Sequence, residues 1–232
     1  MDPERLPPVF EVPLFPLPDV VLFPGMILPL HIFEPRYKRM LSDAMAGERL
    51  IAMARLKPGW QQACLQAPEI FGMVGVGRIV AHQKLQDGTF HIALMGLGRA
   101  RVQSEVKKEP YRVATVASIG DRPADSPEST RQRKAVHESL VVSAESLMRR
   151  VLREDARKQL SKSLSEREDV GGAADLLASV FIQDPDQRQD LLDTVDPLRR
   201  ARFVEDALDK FAAQLEPTPP PLTGRLDDFN SN

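Results

Sequence analysis

The chain has 232 residues, of which 42% are hydrophobic and 28% are charged, the composition of an ordinary soluble globular protein. Its net charge of −2 and pI of about 6.1 argue against a dedicated nucleic-acid binder, which usually carries a basic domain. The single cysteine, Cys64, excludes an intramolecular disulfide, and the first residues do not form a secretory signal. We therefore expect a cytoplasmic protein.

Residues 13–41 form an apolar segment that is too rich in proline to cross a membrane. The segment contains Asp19 and six prolines, at positions 13, 16, 18, 24, 29 and 35. Internal prolines remove the backbone bonds that a spanning helix requires. The pattern instead predicts short strands at residues 12–17 and 20–23 and a third extended run at residues 26–32.

The next elements are a helix, a strand and a loop. Pro35 is well placed at a first helical position, and the apolar residues after it recur at helical spacing, so we predict a helix from Pro35 to Ala46 that ends at Gly47. Residues 50–56 have the length and composition of a strand. Residues 57–69 read as a loop that holds Trp60, the only tryptophan.

Residues 71–118 predict a curled sheet. The Asp87-Gly88 pair between two apolar runs is typical of a tight hairpin turn. Glycines at positions 72, 75 and 77 predict bulges or close approach of another backbone, and those at 96 and 98 predict a corner. Residues 111–118 would close the sheet, so the first half should be a small β-barrel or a curled sheet.

The second half has helical periodicity. Apolar residues predict one long helix over about residues 128–160 and a second over residues 173–181. Asp184-Pro185 and Asp196-Pro197 each place a capping aspartate before a proline and predict two further helix starts. The last segment, residues 216–232, has too little apolar content to fold alone and is predicted to be disordered.

Charge and composition change between these halves. Residues 1–118 contain 14 Lys and Arg against 11 Asp and Glu, a net charge of +3, whereas residues 119–232 contain 17 against 22, a net charge of −5. We predict a β-rich subdomain at 8–120, a linker at 121–130, a helical subdomain at 131–215 and the tail at 216–232.

Three blocks of sequence resemble the substrate-binding N-terminal domain of the ATP-dependent Lon protease. The first is FPLPDVVLFPGMILPLHIFEPRYKRML, whose ending looks like a stand-alone bacterial form of the domain. The second contains Gly75 to Ile79, Asp87-Gly88-Thr89 and Gly96 with Arg99-Ala100-Arg101. The third is AADLLASVF together with LLDTVDPLRRARFVEDAL. The resemblance covers about residues 10–215 and implies an α+β fold, with a PUA-like pseudo-barrel followed by a helical bundle.

The same resemblance implies a protein that binds other proteins without cutting them. The sequence contains no phosphate-binding loop of the G-x-x-x-x-G-K-[ST] type, and nothing in it resembles the family's ATPase or peptidase modules. We expect no enzyme activity, no cofactor and no metal.

Other candidate chemistry has simpler interpretations. Ser104-x-x-Lys107 has the spacing of a Ser/Lys nucleophile but lies at a strand end without the accompanying motifs. The glycines do not form G-x-G-x-x-G before a helix. The histidines at 31, 82, 91 and 137 lack metal-ligand spacing. His82 and His91 flank the predicted hairpin and could face each other across it, but solvated hairpin residues are the simpler interpretation.

For partner binding, the sequence singles out Trp60, Phe33, Arg36 and Tyr37. Trp60 lies in a loop, and aromatic residues are favoured anchors at interfaces. The other three lie at the strand-to-helix transition. The alternatives are that Trp60 folds back onto its own core and that Phe33 and Tyr37 pack in the ordinary way. A third route to binding is an open sheet edge that accepts an extended peptide.

The sequence therefore predicts a binding module for unfolded protein segments or for a specific protein partner. It leaves the oligomeric state and the partner open. One alternative is a small-molecule or RNA-binding role, since PUA-like folds elsewhere bind RNA. Another is an ATP-dependent peptidase activity, which only the name of the family suggests.

Overall fold

A computed structural model describes residues 6–62, 67–107 and 109–215, apart from the side chain of Lys107. The six strands in these ranges are β1 (Val9–Leu17), β2 (Ile27–Ile32), β3 (Leu50–Arg55), β4 (Met73–Lys84), β5 (Phe90–Lys107) and β6 (Val113–Ile119). The six helices are α1 (Pro35–Ala46), α2 (Pro127–Val151), α3 (Glu154–Ser165), α4 (Val170–Phe181), α5 (Pro185–Asp193) and α6 (Pro197–Gln214). Strands precede helices except for α1, and the fold is α+β.

Five of the strands close into a barrel. The order along the sheet is β2-β5-β4-β3-β1-β6, and β6 pairs with β5 as well as with β1. Strand β1 runs parallel to β3, and the other pairings are antiparallel. Strand β2 lies outside the ring and pairs with the first half of β5. The barrel predicted for the first half is confirmed.

The apolar run before β2 packs across the barrel wall instead of joining it. Residues 20–23, predicted as a strand, form no strand, although Val21, Leu22 and Phe23 are buried. A Cβ atom at Gly75 would collide with the carbonyl of Leu22, and one at Gly96 would collide with the carbonyl of Phe23. The absence of a Cβ atom at Gly75 and Gly96 therefore leaves room for the backbone that crosses the barrel wall. Strand β5 continues through Gly96 and Gly98, and its register against β4 shifts there, with Gly77 opposite Gly96 and Val76 opposite Gly98. The corner predicted at these glycines stays a prediction.

Helix α1 and the β4–β5 hairpin match their predictions. Helix α1 has the predicted bounds, and its buried residues are Tyr37, Met40, Leu41 and Ala44. In the hairpin turn, Gly88 has a φ of 75°, and Asp87 Oδ1 accepts hydrogen bonds from the backbone and the hydroxyl of Thr89. These are the features that make Asp-Gly a turn signal.

The two histidines that flank the hairpin, His82 and His91, are exposed, as solvated hairpin residues should be, and they do not face each other. The residue opposite His91 on β4 is Gln83, and His82 lies opposite Ile92. His91 is instead registered with His31 of β2, and their ring centroids are 5.0 Å apart. His82 is closer to His91 in sequence, but β5 also pairs with β2, and the ring that contacts His91 is that of His31.

The single helix predicted over residues 128–160 is two helices. Helix α2 ends at Val151, and Leu152 and Arg153 have extended backbone before α3 begins. The break turns α3 back so that Leu164 is buried in the same cluster as Leu147 and Met148. A continuous helix would carry Leu164 about 20 Å beyond that cluster at 1.5 Å per residue.

The capping prediction for the later helices is confirmed. Asp184 accepts a hydrogen bond from the backbone of Asp186, and Asp196 accepts from those of Leu198 and Arg199. Helix α4 begins at Val170, three residues before its predicted start, because Asp169 caps it.

A buried ion cluster joins the barrel to the helices. Arg99 of β5 donates two hydrogen bonds to Asp175 of α4, at 2.9 and 2.6 Å. Arg200 of α6 pairs with Asp121 and places its Nε 3.0 Å from Asp175 Oδ1, off the N–H axis, as an ion contact without a hydrogen bond. Burial raises the pKa of the Asp175 carboxyl, and the neighbouring guanidiniums oppose that rise.

Apolar packing also crosses this boundary. Val21, Phe23 and Met73 of the β-rich part belong to the same buried cluster as the core residues of α2, α4 and α6. The division into two subdomains with a linker at 121–130 stays a prediction, and residues 127–130 of that linker are the first turn of α2. The predicted tail lies outside the described residues.

We expect Gly75→Ala to lower the free energy of unfolding by about 3 kcal/mol, because the new methyl group forces the Leu22 backbone away from the barrel. Urea denaturation measures this change. Gly72→Ala is the matched control, since a Cβ there meets no atom within 4 Å. Equal stability of the two variants would contradict the proposed packing.

We expect Asp175→Asn to lower the free energy of unfolding by about 3 kcal/mol, because it leaves two buried guanidiniums without their shared carboxylate. The control is Glu128→Gln, which removes an exposed pair with Arg131 and should leave stability unchanged within error. An Asp175→Asn protein as stable as the parent would show that the cluster is not required.

Candidate functional site

A cavity of about 210 Å³ lies where the start of α1, the end of β1 and the approach to β6 meet the loop after β3. Its walls combine aromatic rings, prolines and two arginines. The lining residues are Pro16, Arg36, Tyr37, Leu56, Trp60, Ala67, Pro68, Pro110, Tyr111 and Arg112. We call this the aromatic pocket.

The aromatic pocket contains three of the four residues that the sequence singles out for partner binding. Trp60, Arg36 and Tyr37 line it, although Trp60 is more than 20 positions away along the chain. Phe33 does not line it. The Phe33 side chain is 59% exposed, and its ring centroid is 5.7 Å from that of His31.

The start of α1 positions Arg36 and Tyr37. Because Pro35 occupies the first helical position, the next two side chains project from the first turn. The Tyr37 ring packs against Phe15, with centroids 4.4 Å apart, and the Arg36 guanidinium lies 4.6 Å from the Tyr37 centroid. Burial raises the pKa of the Tyr37 phenol, so this ring is a neutral wall at neutral pH.

The loop that carries Trp60 is anchored at both ends. Lys57 donates its backbone N–H to Glu69 and also forms a 2.9 Å side-chain pair with it. Leu56 forms a β-bridge with Ile70. Trp60 itself opens a short 3-10 turn after Gly59, whose φ is 86°. These contacts close the base of the loop.

Trp60 is half-buried and belongs to none of the three hydrophobic clusters formed by the described residues. The alternative of a tryptophan folded onto its own core stays a prediction. Cys64, four positions further on, lies outside the described residues.

Sequence reasoning missed Tyr111 and Arg112. The Tyr111 hydroxyl donates to Asp43 at 2.7 Å, and burial together with this hydrogen bond raises the pKa of Tyr111 to about 12. Arg112 donates to Glu105 and, at 2.8 Å, to the carbonyl of Pro68. The signal in the sequence was Pro-Tyr-Arg directly before a strand. The sequence analysis assigned Tyr111 and Arg112 to that strand, at residues 111–118, and so gave them no separate role.

The two arginines of the aromatic pocket have different freedom. The Arg112 side chain is 8% exposed and is fixed between Glu105 and Pro68. The Arg36 side chain is 55% exposed and pairs with Glu34 at 2.8 Å. An exposed pair of this kind contributes little to stability, so Arg36 can exchange Glu34 for an acidic or carbonyl group of a ligand.

The pocket suits an apolar side chain of another chain. Its apolar surface comes mainly from three aromatic rings and three prolines, and a cavity of about 150 Å³ already has room for a benzene ring. Arg36 at its edge offers donors to a backbone carbonyl or a carboxylate. The pocket can therefore recognise a ligand by its shape and by hydrogen bonds.

An open sheet edge is the other predicted route to binding. Strand β2 pairs with β5 alone, so its other side is unpaired within the described part of the sheet. Pro29 lies in the middle of this six-residue strand and has no N–H to donate. Proline on an edge strand hinders the addition of another strand, so this edge is a poor peptide acceptor.

The other candidate motifs from the sequence do not form a site among the described residues. Ser104 is an exposed residue of β5, and the side chain of Lys107 is not described. The glycines at 72, 75, 77, 96 and 98 border or lie within strands, not before a helix. Among the described residues, no three His, Cys, Asp or Glu side chains form a metal-binding group, and no helix is long and apolar enough to span a bilayer.

Comparison with known proteins assigns the fold. The N-terminal domain of a Mycobacterium avium complex Lon protease has a TM-score of 0.65 and 18% sequence identity, and the match covers 86% of this chain and 98% of that one. A Lon N-terminal domain protein from Xanthomonas campestris has a TM-score of 0.58 and 23% identity, with 89% and 99% covered. At these identities, the likeness concerns the fold alone.

Sequence relatives point the same way. The Lon protease of Trichlorobacter lovleyi is 30% identical over 199 residues, which are 85% of this chain and 23% of that protein. The Lon protease of Desulfosudis oleivorans is 26% identical over 195 residues, 83% of this chain and 23% of that protein. The chain thus spans about a quarter of the length of these curated relatives.

The family comparison covers most of the chain. The model that matches describes the ATP-dependent protease La (LON) substrate-binding domain, and it matches residues 11–210. Those residues include the whole aromatic pocket and all but the last few residues of α6. The protein belongs to the family of LON substrate-binding domains.

Proposed function

We propose that this protein binds segments of other proteins, either unfolded clients or a specific partner, and that the aromatic pocket receives an apolar side chain of the bound segment. The observation that carries this proposal is the convergence of Trp60, Tyr37 and Tyr111 around one cavity, with Trp60 held outside the protein's own hydrophobic clusters. The family description, a substrate-binding domain, supports it.

Each wall residue has a role in this proposal. Trp60 and Tyr111 enclose the side chain of the ligand, and Tyr37 forms the floor because it is fixed against Phe15. Arg36 donates to the backbone or to an acidic group of the same segment. Phe33, exposed one residue before the Glu34 partner of Arg36, adds an apolar contact beside α1. A cytoplasmic location, predicted from the sequence, fits such a role.

We expect Trp60→Ala to weaken binding of an unfolded protein about tenfold, because it removes the largest wall of the pocket and interface aromatics of this kind contribute 1 kcal/mol or more. The probe is reduced, carboxymethylated α-lactalbumin with a fluorescent label, and the measurement is its anisotropy against protein concentration. Phe33→Ala should weaken binding about threefold.

The matched control for this experiment is Phe203→Ala in α6. Phe203 is 39% exposed and lies outside the aromatic pocket, so its loss should leave the affinity unchanged. If Trp60→Ala and Phe203→Ala bind the probe as the parent does, another surface holds the client. If the parent itself shows no anisotropy change, the proposal of unfolded clients is wrong and a specific folded partner remains to be sought.

The two alternatives have direct tests. We propose no catalytic role, because the matched region is the substrate-binding domain alone, and pure protein should show neither ATP hydrolysis nor casein cleavage above a blank. RNA should be retained weakly, if at all, in filter binding at 50 mM salt, because the net charge is −2 and phosphate contacts require clustered cations. Salt-dependent retention would favour the RNA-binding alternative.

A further inference from the structure

A second apolar surface lies at the far end of the helical part. It is a groove of about 600 Å³ between the C-terminal ends of α2, α4 and α6. Its apolar floor is formed by Val151, Leu152, Phe181, Ile182 and Phe211. We call it the helical groove. The family comparison and the proposed function leave it without a role.

The helical groove leaves one large aromatic side chain partly exposed. Phe211 is 40% exposed, although the neighbouring Ile182 is buried. Large apolar surfaces left in contact with water mark places where another segment binds. The polar rim contains three glutamines and only two charged residues, Lys210 and Asp184, so a ligand would need few charges.

The chain leaves α6 at the margin of this groove. Gln214, the last residue of α6, lines the groove. Arg150 of α2 donates to the carbonyls of Ala212 and Leu215, at 3.1 and 3.4 Å. These bonds fix the end of α6 against α2, so whatever follows residue 215 starts beside the groove.

The sequence after residue 215 has two parts. Residues 216–221 are EPTPPP, and residues 222–229 are LTGRLDDF. Proline-rich sequence favours an extended conformation with about 3.1 Å per residue, so six residues can span about 19 Å. The part of α6 that lines the groove, residues 207–214, is about 10 Å long at 1.5 Å per residue. The second part can therefore reach along the α6 wall of the groove.

The apolar residues of the second part have the spacing of one helix face. Leu222, Leu226 and Phe229 are separated by four and then three positions, the i, i+4, i+7 pattern of an amphipathic helix. Asp227 and Asp228 lie between the last two, and Lys210 at the groove rim has the opposite charge. An apolar face on so short a segment cannot be buried by the segment itself, and the described residues leave Phe181 and Phe211 partly exposed.

We propose that residues 222–229 bind the helical groove of their own chain, with Leu222, Leu226 and Phe229 against Phe181 and Phe211. A tethered segment is present at an effective concentration in the millimolar range, so even weak apolar contacts keep it bound. Docking makes the groove unavailable to other proteins and leaves the aromatic pocket, on the barrel, as the exposed binding surface.

The test uses the full chain with Leu222, Leu226 and Phe229 all changed to serine, and amide hydrogen exchange as the readout. We expect exchange of residues 180–187 and 207–214 to become at least fivefold faster, because the apolar cover is lost. Exchange in α1, on the barrel, should not change. The control variant has Thr223, Asn230 and Asn232 changed to serine and should exchange like the parent.

A second measurement uses a labelled peptide of residues 217–232. It should bind the triple-serine variant at micromolar concentration and bind the parent at least tenfold more weakly, because the parent's own segment competes. Unchanged exchange together with absence of peptide binding would overturn the proposal. Protection of the groove that increases with protein concentration would also overturn it, since a second copy would then be the cover.

Discussion

The carboxylate of Asp175 lies between the guanidinium groups of Arg99 and Arg200, and these three side chains connect the barrel to two helices. Arg99 also donates to the carbonyl of Leu192 at 3.1 Å, and Arg200 donates to that of Thr194 at 2.9 Å. The cluster thus fixes α4, α6 and the end of α5 relative to β5. A cluster of this kind stabilises little in net terms, but breaking it leaves a buried charge without a partner. The cluster therefore disfavours arrangements of the two parts that separate these three side chains.

With that arrangement fixed, the two exposed apolar surfaces have separate positions. The aromatic pocket is built from barrel strands, α1 and two loops, whereas the helical groove uses only the ends of helices and the turns after them. A ligand in one does not need to displace a ligand in the other. This separation allows one surface to bind a client while the other is covered by the protein's own chain.

Contacts within the protein position the described walls of the aromatic pocket. Its tyrosines are fixed by a ring contact with Phe15 and a hydrogen bond to Asp43, and its tryptophan loop is closed by backbone bonds at its base. A fixed cavity loses little conformational entropy when it binds. Specificity for an apolar side chain can then come from shape, and Arg36 is the one lining arginine with an exposed side chain.

The sequence by itself determined the elements whose signals are local. The bounds of α1, the Asp-Gly hairpin and the aspartate caps of α5 and α6 depend on one or two residues whose backbone preferences act within a single turn. Family resemblance added the barrel and the helical bundle. Tertiary structure decided whatever depends on distant partners. Residues 20–23 pack across the barrel because Gly75 and Gly96 leave room for a backbone, and the helix over 128–160 breaks so that Leu164 can reach the core. Trp60 meets Tyr37 and Tyr111 because barrel closure brings three separate segments together, and no local periodicity carries that information.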